Sequence, residues 1–464
     1  MALLKLVSGQ KPRQIAVRVL QQRRTGGKFI EDLLEKALAS AKLSPADRGL
    51  CQEITYGVVR WQATLDWLIA RKTGGRGQKS ALQNLLQLGL YQIFWLDRIP
   101  DHAAVNETVE LARQNGFGAQ AGFVNAVLRG YLREADATKK LLGELKTTQP
   151  ALGWSHPEWL VARWQQRWGL EKTASLLEWN NTPPKTFARV NTLKFGRAGS
   201  PLPAERTKVE SGAHGVTRPT LNNAGDLLTR WRDENVEYDF VRRDWLEENL
   251  VFEMKSHPSL LSLASFSDGW FYIQDPGTLL AVCKLGPQPG ETILDFCAAP
   301  GGKTTFIAQL MNNQGRIVAQ DVSEERLKWI QENCARLGVT CVETVLPSTL
   351  NLQPSTSFDR VLVDAPCSNT GVMRRRVDLR WRIQPEEIER LRTVQLDLLK
   401  QAAIEVKPGG VLVYSTCSLE PEENGEVVKQ FLHEHADFKL EYECELLPFV
   451  DNVDGAYVAR MKKG

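Results

Sequence analysis

From residue 290 onward the chain alternates short apolar runs with amphipathic stretches, a rhythm that few folds other than a parallel sheet flanked by helices accommodate. Strands are expected at 292–296, 316–320, near 341, near 361, at 410–414 and at 455–461, with helices at 302–312, 323–337, 385–406 and 421–435. Open sheets of this kind bind their ligands at the carboxyl ends of the strands. Reactive residues found there carry more weight than the same residues elsewhere.

The front of the chain reads differently. Residues 11–135 place apolar side chains three and four apart: Ile15 and Val19; Phe29, Leu33, Leu34, Ala37 and Leu38; Ile54, Val58, Trp61, Leu65 and Leu68; Leu82, Leu85, Leu86, Leu90 and Ile93. That spacing predicts five to seven amphipathic helices, one of them opened by Ser44 as N-cap with Pro45 in its first turn. Net charge is only +3, yet residues 1–150 hold 22 Lys and Arg against 13 Asp and Glu, and the first 28 residues contain seven basic side chains and no acidic one. A basic front suits a polyphosphate partner; a solvated helix face accounts for such a run equally well.

Between these parts, Ser155-His156-Pro157-Glu158-Trp159-Leu160 opens another helical passage, 189–194 is short and β-like, and helix resumes near 226–235 before 271–275 leads into the last part. From 196 to 224 Gly, Pro, Ser, Thr and Asn predominate, as in an exposed insertion. The expected organisation is multidomain: an all-α domain over 1–145, a small α+β domain over 150–270 and an α/β domain over 271–464. The eight cysteines lack Cys-x-x-Cys spacing and only six histidines accompany them, so neither a disulfide framework nor a metal site is expected. No apolar run approaches the roughly 18 residues of a membrane helix, and residues 1–13 lack the apolar stretch of a signal peptide. A cytoplasmic monomer without membrane attachment is expected.

Three signatures fall at expected strand ends. Cys297-Ala298-Ala299-Pro300-Gly301-Gly302-Lys303 follows the first strand, and its glycines let backbone N–H groups approach a bound molecule. Gly302-Lys303-Thr304 copies the end of a phosphate-binding P-loop, but that loop's first glycine would fall at Cys297, which argues against an ATPase. Asp321 ends the second strand, where an acid commonly accepts hydrogen bonds from ribose hydroxyls; capping the next helix is its plainer role. Asp364-Ala365-Pro366-Cys367-Ser368 ends the fourth strand and Ser415-Thr416-Cys417-Ser418 the fifth. Sheet topology brings such ends together, so Asp364, Cys367 and Cys417 are expected around one ligand, with thiols suited to covalent chemistry on an electrophilic ring. A buried redox pair is the alternative. Cys51, Cys283, Cys334, Cys341 and Cys444 are expected to be small buried hydrophobes.

Cys297 to Lys303, Asp364 to Ser368 with Thr370-Gly371, Thr416-Cys417-Ser418 and Pro421-Glu422-Glu423-Asn424 together resemble the signatures of the bacterial RNA (cytosine-5)-methyltransferase family. The likeness is strongest to its branch acting on small-subunit ribosomal RNA, whose members carry an N-terminal NusB-like domain. The resemblance covers nearly the whole chain, and Arg189 to Lys194 and Gln274-Asp275 also resemble shorter upstream signatures of the family. The resemblance implies a NusB-like RNA-binding front domain, a small connecting domain and a Rossmann-like catalytic domain that uses S-adenosyl-L-methionine. Cys297, Ala298, Ala299, Pro300, Gly301, Gly302 and Lys303 would enclose the cofactor's amino-acid portion, Asp321 would hold its ribose, and Asp364 would border the same site. RNA, specifically 16S ribosomal RNA, is the implied partner.

Cytosine C5 is a poor nucleophile, and a thiolate adding at C6 turns the ring into an enamine able to attack a methyl group. The resemblance assigns that thiolate to Cys417, release of the C5 proton to Cys367, a contact near N3 to Asp364, and positive charge beside these groups to Lys303. In the related DNA cytosine methyltransferases a Pro-Cys motif carries the nucleophile, so the residues alone admit either thiol. The 344–350 stretch departs from the family pattern, which has an acid near the adenine, and the 196–224 insertion is also atypical. Arg374, Arg375, Arg376, Arg380 and Arg382 are expected either to clamp phosphates beside a flipped-out cytosine or to form a solvated cluster. Two rival functions remain: the same chemistry on transfer RNA or DNA, and a noncatalytic RNA-binding or antitermination factor built on the NusB-like part.

Overall fold

The computed structural model describes residues 11–194, 224–347 and 357–464. The insertion expected at 196–224 therefore lies, but for its last residue, outside the described residues. Two compact units are formed, one of the chain up to Pro183 together with Met373–Ile383, the other of Pro184–Val372 and Gln384–Gly464. Among the described residues no helix is long and apolar enough to cross a membrane.

Seven α-helices occupy the stretch expected to hold five to seven: Pro12–Thr25, Ile30–Ala39, Pro45–Arg60, Gln62–Thr73, Ser80–Trp95, Asp101–Gln114 and Ala121–Arg133. Their apolar stripes converge on one core that includes Ile15, Val19, Leu34, Leu38, Ile54, Val58, Leu65, Leu68 and Leu85. Gly57 permits close approach of two of them, since a Cβ there would fall 1.9 Å from the Tyr91 ring. Ser44 caps its helix by accepting the Asp47 N–H at 3.1 Å. Phe29 departs from the expected stripe: it stands at the N-cap of Ile30–Ala39, 37% exposed, with the Arg382 guanidinium 4.7 Å from its ring centre. Helices continue through Ala135–Thr148, Pro150–Gly153 and Glu158–Asn181.

The segment Met373–Ile383 comes from far along the chain and completes this unit. Val377 joins the helical core. Asp378, fully buried, accepts from Arg23 at 2.5 Å, from Arg382 at 2.9 Å and from the Ile30 N–H at 3.1 Å. Arg380, also fully buried, donates to the carbonyls of Arg60, Ser155 and Asn180 and to Asn181 Oδ1. Burial, then the charge of Arg60, lowers the Arg380 guanidinium well below its ordinary pKa. Arg374 lies 3.9 Å from the centre of the Trp179 ring. Of the five arginines expected to clamp phosphates or to form a solvated cluster, Arg374 and Arg380 are buried and so do neither, Arg375 and Arg382 are half-buried, and Arg376 is exposed. A charged side chain takes a buried place when enough carbonyl and carboxylate oxygens converge on it, and the neighbouring sequence does not display that condition.

The second unit holds two sheets. β1 (Thr186–Val190), β2 (Glu237–Phe240), β3 (Val251–Ser256) and β4 (Phe271–Ile273) form an antiparallel sheet in the order β2-β3-β1-β4. The β-like run expected at 189–194 is displaced, because the strand ends at Val190 and Thr192–Lys194 is a 3-10 turn. β5 (Thr292–Asp295), β6 (Arg316–Gln320), β7 (Val342–Val345), β8 (Phe358–Asp364), β9 (Val406–Thr416), β10 (Phe438–Leu446) and β11 (Ala456–Lys463) lie in the order β10-β11-β9-β8-β5-β6-β7.

The five strands from β5 to β9 are parallel, whereas β11 runs antiparallel to β9 and β10 antiparallel to β11. β10 was not expected, and the sheet is mixed rather than purely parallel. The helix expected at 421–435 is a 3-10 turn, Pro421–Glu423, followed by Gly425–Glu434. An unexpected helix, Pro276–Leu285, is capped by Asp275, which accepts the Gly277 N–H at 2.9 Å. β5, β6 and β7 spread to one side and β8 and β9 to the other, so β5 and β8 flank the point where the strand order reverses.

Candidate active site

β5 delivers Asp295 to that switch point. The chain then folds back toward β6 through Ala298, whose N–H reaches Gln320 O at 2.9 Å, and Ala299, whose N–H donates to Asp321 Oδ2 at 2.9 Å. Gly301 follows with φ 98°, and a Cβ there would come within 3.2 Å of the Ile330 backbone, so glycine meets both requirements of the turn into helix Gly302–Leu310. Asp321 Oδ1 accepts from the Val322 N–H at 2.8 Å and pairs with Arg326 at 3.1 Å. Capping of helix Glu324–Leu337 falls to Ser323, whose hydroxyl accepts the Arg326 N–H at 3.3 Å. The plainer role weighed for Asp321 therefore belongs to its neighbour.

Two further groups belong to this turn. Asp295 accepts from the Thr304 hydroxyl at 2.7 Å through Oδ2, while its buried Oδ1 has no hydrogen-bond partner among the described residues. Burial raises this carboxyl to about 7. Arg189 of β1, enclosed by Tyr272 and Phe306, donates to Gly302 O at 2.7 Å, to the Thr305 hydroxyl at 3.0 Å and to the Gln274 side chain. These partners are neutral, and burial pulls the guanidinium down to about 9. In the sequence Arg189 stood only as part of a signature; an arginine inside the apolar run Phe187 to Val190 was the signal of a special place.

Asp364 ends β8 opposite Ser415 of β9. Lys303 Nζ lies 2.6 Å from Asp364 Oδ2, and the Ser415 hydroxyl donates to Oδ1 at 2.8 Å. Burial works against the Lys303 ammonium, but the charge and hydrogen bond of Asp364, together with the charges of Cys417 and Asp295, outweigh it and the pKa is raised, so Lys303 is charged at neutral pH. Burial, then the carboxylates of Asp364, Asp295 and Asp321, push the Cys297 thiol up.

Beyond the ends of β8 and β9, the sulfurs of Cys367 and Cys417 approach to 3.2 Å. The Cys417 N–H donates to Cys367 Sγ at 3.3 Å, and the Cys417 thiol donates to Asn369 Oδ1 at 3.0 Å. Asn369 has φ 58°, a left-handed conformation that asparagine tolerates better than most residues. Gly371 donates to Cys417 O at 2.9 Å, and a Cβ there would sit 2.7 Å from that oxygen. Cys367 is buried and Cys417 half-buried. The hydrogen bond with Cys417, burial, and the charges of Cys417 and Glu423 together raise the Cys367 thiol well above its ordinary pKa.

The cofactor and catalytic candidates named from the sequence, Cys297 to Lys303, Asp321, Asp364, Cys367 and Cys417, lie at one rim of the sheet. Arg189, Asn369 and Ser415 contact these residues without having been singled out. Thr344, Val345 and Leu346 carry no acid, and 348–350 of the departing stretch lie outside the described residues.

Residues 282–462 match the family model described as 16S rRNA methyltransferase RsmB/F, residues 10–133 that of the NusB family, and residues 156–200 the ferredoxin-like domain of RsmF/B-like methyltransferases. The chain is 36% identical to a probable ribosomal RNA small subunit methyltransferase B of Synechocystis sp., over 97% of this chain and 99% of the relative. It is 33% identical to a probable ribosomal RNA small subunit methyltransferase B of Bacillus subtilis, over 97% and 98%. A solved structure of a methyltransferase homolog protein from Pyrococcus horikoshii is 30% identical, with a TM-score of 0.54, covering 68% of this chain and 97% of that one. Alike over almost its whole length to these relatives, the chain belongs to the RsmB/F family of 16S rRNA methyltransferases.

Proposed function

We propose that this chain transfers a methyl group from S-adenosylmethionine to C5 of a cytosine in 16S ribosomal RNA, through a covalent adduct of the ring with Cys417. The observation that carries this reading is the 3.2 Å separation of two sulfurs on adjacent strand ends, beside the Lys303–Asp364 pair. In the same reading the part over 1–145 binds RNA, that over 150–270 connects, and that over 271–464 catalyses.

The residues fit the cofactor by charge. Asp295, Asp321 and Asp364 lie at the ends of three adjacent strands, β5, β6 and β8, with Lys303 among them. Carboxylates in excess suit a ligand bearing a sulfonium and an ammonium, and Asp295 Oδ1 is a buried acceptor without a donor among the described residues. Cys297 to Lys303 would border the amino-acid portion, and Asp321 the ribose. When bound, S-adenosylmethionine supplies an electrophilic methyl group.

Cys417, the more accessible thiol, adds to C6 as its thiolate. The C6–S bond forms, the ring electrons shift toward N3, and a proton is taken up there. Asp364 serves that edge of the base, with the Lys303 ammonium at 2.6 Å as the nearby store of a proton. C5 then carries the electron density that accepts the methyl group. Two of the four effects that hold Cys367 protonated come from Cys417, namely their hydrogen bond and its charge. Both disappear once Cys417 is a thioether, so Cys367 then gives up its own proton to solvent more readily and as a thiolate takes the C5 proton; the C5–H electrons restore the ring double bond, the C6–S bond breaks with Cys417 leaving as a thiolate, and N3 returns its proton to the Asp364–Lys303 pair.

Bisulfite sequencing of ribosomal RNA from a strain lacking this gene should show one 16S cytosine that has lost protection, regained on complementation. A change confined to transfer RNA would move the substrate there. Failure to bind S-adenosylmethionine by calorimetry would instead favour the noncatalytic RNA-binding reading.

A further inference from the structure

One buried carboxylate outside the reacting set joins both thiol loops. Glu423, in the turn Pro421–Glu423, is fully buried. Its Oε1 accepts from the Ser368 N–H at 2.8 Å and from Gln395 Nε2 at 2.9 Å; its Oε2 accepts from the Ser418 hydroxyl at 2.5 Å and from the Ser368 hydroxyl. Four donors match the roughly four acceptor sites of a carboxylate, and all four are neutral. Ser368 follows Cys367 and Ser418 follows Cys417, so three of the four bonds go to a residue adjoining a sulfur. The fourth comes from helix Pro385–Ile404, and the same Gln395 amide donates to Pro366 O at 2.9 Å, on the other side of Cys367.

We propose that Glu423 is a positioning residue whose carboxylate ties the Cys367 loop to the Cys417 loop and thereby sets the separation of the two sulfurs. The ladder between β8 and β9 ends at Asp364 and Ser415. Past that pair the loops are joined by the Gly371–Cys417 backbone bond and by side chains, among which Glu423 makes the shortest bonds to the residues adjoining both sulfurs. Four donors converging on one buried carboxylate hold the two loops in one arrangement, and losing that carboxylate would take an acceptor from each of them. Glu423 has a second effect through the same geometry. Its negative charge adds to the influences that keep Cys367 a thiol. This assignment rests on Cys367 and Cys417 acting together, as read above, but its first test needs no RNA.

Diamide oxidises two thiols to a disulfide and is itself reduced to the hydrazine, and in the full-length protein the Cys367–Cys417 link should form rapidly because the sulfurs need only close from 3.2 Å to about 2.05 Å. Glu423→Ala is expected to slow that link, and to lower kcat for methyl transfer, roughly tenfold to hundredfold, with KM for the cofactor held within about twofold. Glu423→Gln, which keeps the length but not the charge, should fall between, and in both variants the pH midpoint for iodoacetamide alkylation of Cys367 should move down. A merely structural role would lower cofactor affinity in step with kcat and leave that midpoint in place. Cross-linking as fast as in the unmodified protein, or cofactor binding and thiol reactivity lost in parallel in both variants, would overturn the proposal. If cross-linking responds as expected while the unmodified protein methylates no cytosine, the reading of the reaction fails and the role of Glu423 stands.

Discussion

Cys417→Ala is expected to lower methyl transfer by at least about 10³-fold, equivalent to about 4 kcal/mol of transition-state stabilisation, and to abolish the covalent complex with RNA carrying 5-fluorocytosine. The loss is large because C5 attacks only after a thiolate has added at C6, and no other step replaces that activation. Cys367→Ala is expected to retain the complex and even to accumulate it on ordinary cytosine. Addition precedes release of the C5 proton, so removing the group that takes the proton stalls the reaction with Cys417 still attached. The two variants thus separate by chemistry and not only by rate, although their sulfurs lie 3.2 Å apart. Denaturing electrophoresis of the protein–RNA complex reads the difference. A complex that survives Cys417→Ala and disappears in Cys367→Ala would exchange the two roles.

The thiol pair was legible in the sequence because each cysteine closes a short apolar run, and a strand of a parallel sheet, buried on both faces, produces such a run: Val361-Leu362-Val363 and Val411-Leu412-Val413 are all buried. β10 escaped for the converse reason. At the edge of the sheet only one face needs to be apolar, and Phe438, Leu440 and Tyr442 alternate with the exposed Lys439, Glu441 and Glu443. That period of two was present, but it followed a helix and lacked an apolar run to draw attention. Helix Pro276–Leu285 carried the aspartate and proline of a capped start, yet Gln274-Asp275 was noticed only as a family signature. The arginines after the Cys367 loop were beyond local reading altogether. Arg380 owes its burial to Asn180, Asn181, Ser155 and Arg60, groups 199 to 320 residues away from it along the chain, and nothing within ten residues announces them. Glu423 is the intermediate case: its motif was recognised, while the convergence of Ser368, Ser418 and Gln395 on it is a fact of tertiary structure.

Asp378→Ala is expected to destabilise the helical unit by about 3–5 kcal/mol, the cost usual for removing one partner of a buried ion pair. The Asp378 side chain has no exposure and that of Arg23 only 10%, so the guanidinium left behind cannot recover its interaction from water without opening the structure. The Ile30 N–H, at the start of its helix, loses its acceptor in the same step, and Arg382 loses one of three. Asp378→Asn should recover part of the loss, because an amide oxygen still accepts the Ile30 N–H while the charge opposite Arg23 is gone. The exposed pair of Arg113 with Glu110, in the same unit, provides the comparison: Glu110→Ala is expected to leave the midpoint almost unmoved, since both groups stay hydrated without each other. Urea unfolding followed by tryptophan fluorescence measures all three, with Trp61 and Trp381 packed in the core of the unit concerned. Equal midpoints for Asp378→Ala and Glu110→Ala would mean that the segment Met373–Ile383 adds no more to the helical unit than a surface contact does, despite its buried aspartate and arginine.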